Sequence, residues 1–107
     1  MKKEEIIERI ENVLINWGEF KVNEVEGMIS PCVFTLNNIV HLIESFDKWS
    51  VIVEVYDLNV DSKVSFDEYE INYEDLELDV LDEVLFIAEC YDVEQQKIYD
   101  SCRDENY

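Results

Sequence analysis

The chain opens on a helical rhythm. Ile6, Ile10, Val13, Leu14 and Trp17 recur at helical spacing while Glu4, Glu5, Glu8 and Glu11 take the other side, which predicts an amphipathic helix over residues 3 to 17. Acids in its first turns suit the positive end of the helix dipole, and Gly18 can supply the left-handed residue that ends it. Residues 19 to 31 are mixed, with a short apolar beat at Phe20, Val22 and Val25 before Gly27 and Ser30-Pro31 break regular structure. From Cys32 the pattern becomes extended. Cys32, Val33, Phe34 and Thr35 form one candidate strand, Asn37-Asn38 a turn, and the run from Ile39 to Ile43 a second strand. Asp47-Lys48 can turn the chain again into the run from Trp49 to Tyr56, where Val51, Ile52, Val53 and Val55 are β-branched and fit a pleated surface. A weak alternation from Phe66 to Tyr73 suggests a fourth strand.

The last strong element is a helix from about Asp79 to Lys97. At about 100 degrees per residue, Val80, Leu81, Val84, Leu85, Ile87, Ala88 and Tyr91 share one broad side and Asp79, Asp82, Glu83, Glu89 and Glu94 cover the other. Asp79 reads as its N-cap, and residues 100 to 107 as a frayed tail. Short turns between neighbouring strands imply an antiparallel meander. The expected fold is therefore α+β: an N-terminal helix, three or four strands and a C-terminal helix, with both helices on one sheet face. Residues 1 to 107 read as a single domain.

Composition narrows the function. The 107 residues hold 27 acids against 8 bases, for a formal charge of −19, while 48% are hydrophobic, which is ample for a core. Direct binding to nucleic acid or to an anionic membrane needs a basic footprint, and this chain lacks one. Acids interrupt every apolar run near the N-terminus, so no secretory signal is expected, and no stretch approaches the roughly 20 apolar residues of a membrane span. The odd cysteine count (Cys32, Cys90 and Cys102) contains no C-x-x-C and fits a reduced, cytoplasmic setting, with Cys32 and Cys90 as small core residues. Oligomeric state is left open.

The charge is concentrated. Residues 54 to 94 carry 15 acids and one base, Lys63, which accounts for about three quarters of the excess. Neighbouring carboxylates repel and raise one another's pKa. A run of them can also imitate nucleic-acid phosphates and occupy a basic groove. The candidate partner-binding surface comprises Glu68, Glu70, Glu74, Asp75 and Glu77, followed by Asp79, Asp82, Glu83 and Glu89 on the second helix. Phe86 falls among the helical acids, where an exposed ring would anchor a partner. In size and composition, though through no motif, the chain resembles the compact acidic inhibitors of host defence nucleases made by phages and mobile elements. That resemblance implies a basic, nucleic-acid-binding partner. A solvated acidic face serving only solubility is the plain alternative.

Residues 57 to 68 resemble an EF-hand calcium loop, with Asp57, Asn59 and Asp61 at its first, third and fifth positions and Glu68 at its twelfth. By that resemblance Asp57, Asn59, Asp61 and Glu68 would be side-chain ligands of calcium, and Lys63 would offer its carbonyl. Ser62 stands where the loop calls for Gly, and the β-branched run before it favours an acidic hairpin turn instead. Catalytic constellations are sparse. The single histidine, His41, lies in an apolar strand-like run without a marked nucleophile beside it. Gly18 and Gly27 are the only glycines, too few for a phosphate loop. The expectation is a non-enzymatic protein-protein interaction domain without a cofactor, with a single-loop calcium module or a merely acidic accessory protein as alternatives.

Overall fold

The structure is a computed structural model, and it describes residues 1–60 and 64–104. In chain order it contains helix α1 (Lys3–Trp17), strand β1 (Phe20–Lys21), a 3₁₀ turn (Val22–Glu24), strands β2 (Cys32–Leu36), β3 (Ile39–Phe46), β4 (Ser50–Asp57) and β5 (Asp67–Asn72), a second 3₁₀ turn (Tyr73–Asp75) and helix α2 (Leu78–Asp104). The expected architecture is present, with one added strand.

Helix α1 ends where its sequence says it should. Gly18 adopts φ 86°, a conformation costly for other residues, and its N–H bonds the Leu14 carbonyl at 2.7 Å. Asn37 and Asn38 both take positive φ (51° and 65°), as the tight β2–β3 hairpin requires and as Asn tolerates. The sheet is antiparallel in the order β1-β3-β4-β5. Strand β2 also pairs with β3, through residues 39 to 42, whereas β1 pairs with Ser45 and Phe46. Since β4 takes the other edge of β3, β1 and β2 lie in succession along one edge. A bulge between Ile43 and Ser45 makes Glu44 the extra residue.

Alternation in β4 separates the two sheet faces. Val51, Val53 and Val55 are buried, while Ile52, Glu54 and Tyr56 are half-buried on the reverse. On the covered face Ile43, Phe46, Val51 and Val53 meet Ile6, Ile10, Val13 and Leu14 of α1 and Leu81, Val84, Leu85 and Ala88 of α2 in one core. Burying a side chain of this size contributes roughly 1.5–3 kcal/mol. Phe20 stacks between Phe46 and Tyr91, with centroids at 4.6 and 3.9 Å. That sandwich holds β1, a strand too short to show in the sequence pattern. The Trp17 indole N–H donates to Asp92 Oδ1 at 2.6 Å and ties α1 to α2.

Three expectations change. Helix α2 runs on to Asp104, so residues 100 to 104, expected to be frayed, are helical; no Gly or Pro interrupts the segment, and Gln96 donates to Asp100 one turn on, at 3.2 Å. The helix starts at Leu78, which places Asp79 inside its first turn rather than at the cap. Cys32 is exposed and so is not the core residue expected, whereas Cys90 is half-buried and packs against the core. Cys32 stands on β2, next to the Leu42 position of β3, with its thiol 3.1 Å from Thr35 Oγ1. No described helix is long and apolar enough to cross a membrane.

Candidate partner-binding surface

The partner-binding residues named from the sequence fall on three parts of the molecule. The first is the outer face of α2. Its inner face is fixed by burial of Leu81, Val84, Leu85 and Ala88, so Asp79, Asp82, Glu83, Phe86 and Glu89 point outward and all five are exposed. Phe86 is 60% exposed with acids three or four residues away on both sides, the spacing at which helix side chains are neighbours. Loop 27–31 runs alongside, and Gly27, at φ 77°, lets the chain turn there. Met28, Ile29 and Pro31 from this loop and Asp82, Glu83, Phe86 and Ile87 from α2 line one shallow groove.

The second part is the uncovered sheet face. Tyr69 and Ile71 of β5 pack toward the core, so Glu68 and Glu70 project from the opposite face, away from both helices. Glu68 is paired with Glu54 and Glu70 with Ile52. Like charges directly opposite one another weaken a sheet. Here hydroxyl groups moderate the repulsion: Tyr56 Oη lies 3.1 Å from Glu54 Oε2 and 3.4 Å from Glu44 Oε1, Ser65 donates to Glu54 at 3.3 Å, and Ser30 donates to Glu44 at 3.3 Å. Burial, then the charge of Glu54, raises the Glu44 pKa above the usual carboxylate range. Burial, with both carboxylates nearby, pushes the Tyr56 phenol up to about 12.

The third part is a corner formed by Glu74, Asp75 and Glu77, all exposed. Lys3 donates from its ammonium to the Glu74 backbone carbonyl, and Lys2, Lys3, Glu4, Asp75 and Glu77 line a common depression. Two bases of the N-terminus thus stand among the acids at this corner. The ten residues do not form one surface: Glu68 and Glu70 face away from α2, whereas the corner adjoins the start of the helix stripe, the Glu77 backbone carbonyl accepting the Leu81 N–H at 2.9 Å. Glu44, Glu54 and Tyr56 are not among the residues named from the sequence. The alternation of Ile52, Glu54 and Tyr56 against buried valines was the available signal for two of them, whereas the bulge that places Glu44 leaves no such trace.

The calcium-loop segment is bounded by strands β4 and β5, as the β-branched run suggests, and not by the helices of an EF-hand. The physical reason is the β-branched content of β4. Asp57 Oδ1 accepts the Asn59 backbone N–H at 2.9 Å, and Asn59 Oδ1 accepts from the Asn38 amide at 3.2 Å, so these groups bind the two hairpin turns together. Glu68 is paired opposite Glu54, and Asp61 lies outside the described residues, as does Lys63. Among the described residues no three carboxylate, imidazole or thiol groups converge as a metal would require. His41 Nδ1 sits 2.6 Å from the Tyr69 hydroxyl, with the Phe34 ring edge-on at 5.1 Å. Comparison with protein-family models, with curated proteins and with solved structures found no match.

Proposed function

We propose that this domain acts by protein-protein contact, presenting the outer face of α2 to a basic surface in place of a nucleic-acid strand. The observation that carries the reading is the linear charge density of that face. Asp79, Asp82, Glu83 and Glu89 are exposed along about 15 Å of helix, taking 1.5 Å of rise per residue. One strand of duplex DNA carries a phosphate every 3.4 Å or so, roughly four over the same length. A groove shaped for phosphates would meet a matching number of charges, and both long-range steering and counterion release would favour the complex. Chemistry by the domain itself has no part in this reading. The partner class is a nucleic-acid-binding protein, and the role is inhibitory, as in the anti-defence proteins that the chain resembles in size and composition.

The test is capture of partners from the native host's lysate on the immobilised chain, washed at stepped salt and challenged with duplex DNA. The reading predicts a nucleic-acid-binding protein that elutes as salt rises and is displaced by DNA. A partner held equally from low to high salt and indifferent to DNA would overturn it.

A further inference from the structure

We infer that the partner brings a large apolar side chain flanked by arginine, and seats it in the groove between α2 and loop 27–31. This inference rests on the polyanion reading and specifies the chemistry that the acidic face receives. A face that only imitated phosphates would be polar throughout. This one is not. Ile29 is 86% exposed, the highest value among the exposed large apolar side chains of the described residues, and Phe86 is 60% exposed across the groove from it. Met28, Pro31 and Ile87 are half-buried or buried and form the floor. The groove is thus an apolar slot with two protruding walls, the form that takes an anchor residue.

Charge selects the occupant. Asp82 and Glu83 line the slot, Glu89 follows Phe86 by one turn, and exposed Glu26 precedes the loop. A second copy of the chain would set acid against acid on a molecule of charge −19, and like charges facing each other disfavour association. A basic segment meets the opposite condition. Arginine suits this site better than lysine. A guanidinium can stack over the Phe86 ring while its fork bonds the Asp82 or Glu83 carboxylate, whereas an ammonium offers a point charge alone.

The experiment compares two fluorescein-labelled peptides by anisotropy at low salt. One is an amphipathic sequence of Leu and Arg, and the other has the same charge with every Leu replaced by Gln. The full chain should bind the Leu–Arg peptide about tenfold or more tightly than the control, the gain expected from burying one such side chain. Phe86→Ala and Ile29→Asp alter exposed positions and should each reduce that preference to near unity. Ile29→Asp is the sharper variant, since it adds a negative charge: attraction by charge alone would leave binding of both peptides as strong or stronger. Equal binding of both peptides by the unmodified chain would overturn the apolar anchor while leaving the polyanion reading intact. Failure of both peptides to bind would overturn both readings. A preference that survives both substitutions, or self-association of the free chain abolished by Phe86→Ala, would also overturn the assignment, the latter in favour of a second copy.

Discussion

At the residue scale, the most consequential side chains are those whose environment departs from what their position in the sequence suggests. Glu44 is one. It occupies a bulge, accepts from Ser30, and shares the Tyr56 hydroxyl with Glu54. Its carboxyl titrates above the ordinary value of 4.5 because burial, and then Glu54, disfavour its charge. The folded chain therefore binds this proton more tightly than the unfolded chain. As pH rises from the ordinary value through the raised one, the group's contribution to stability falls, and it stays low above. Glu44→Gln keeps the acceptor oxygen and removes the charge, so it should raise the melting temperature at pH 7. That gain should vanish below about pH 4, where the native carboxyl is neutral in both states. Thermal melts at the two pH values would decide; a gain of equal size at both would assign the effect to packing. Phe86 was legible from the sequence, because helical angle alone placed it among the acids. Cys32 was not. Its burial depended on which strand edge β2 occupies, and that is settled by long-range pairing with β3.

At the element scale, the two helices were readable because each carries a continuous apolar stripe, and the strands because β-branched runs are bounded by turn residues. The misses have common causes. Strand β1 consists of Phe20 and Lys21, and its place is set by the stacking of Phe20 between Phe46 and Tyr91, a contact between distant parts of the chain. The end of α2 was placed too early because its apolar stripe stops at Tyr91. Beyond Asp92, which Trp17 holds, the apolar side chains Val93, Ile98 and Tyr99 are all exposed. A segment that buries so little adds little to global stability. Removing residues 95 to 107 should therefore shift the unfolding free energy by less than about 1 kcal/mol, whereas Leu81→Ala, in the same helix but fully buried, should cost about 2–5 kcal/mol. Denaturant unfolding of both variants measures the contrast; a truncation as costly as Leu81→Ala would show that the distal helix packs on the domain.

At the scale of the whole molecule, a charge of −19 on 107 residues imposes self-repulsion that the core must overcome. The fold distributes that charge unevenly. Hydroxyl groups moderate the sheet-face cluster, two N-terminal lysines stand among the acids at the corner beside Glu77, and the acids of α2 face outward around an apolar groove. The sequence showed where along the chain the acids lie. It could not show that Glu68 and Glu70 face away from α2, because that depends on which face of β5 the helices cover. The central claim is that one of these surfaces, rather than bulk charge, binds the partner. It is tested by two variants that each remove three negative charges: Asp79→Asn with Asp82→Asn and Glu83→Gln on the helix, and Glu54→Gln with Glu68→Gln and Glu70→Gln on the sheet. The measurement is the affinity of each for the captured partner, as a function of salt. The helix variant should bind at least about tenfold more weakly than the sheet variant and show a shallower dependence of log Kd on log salt. Equal losses from the two variants would mean that the molecule attracts its partner by net charge alone, and would contradict the account.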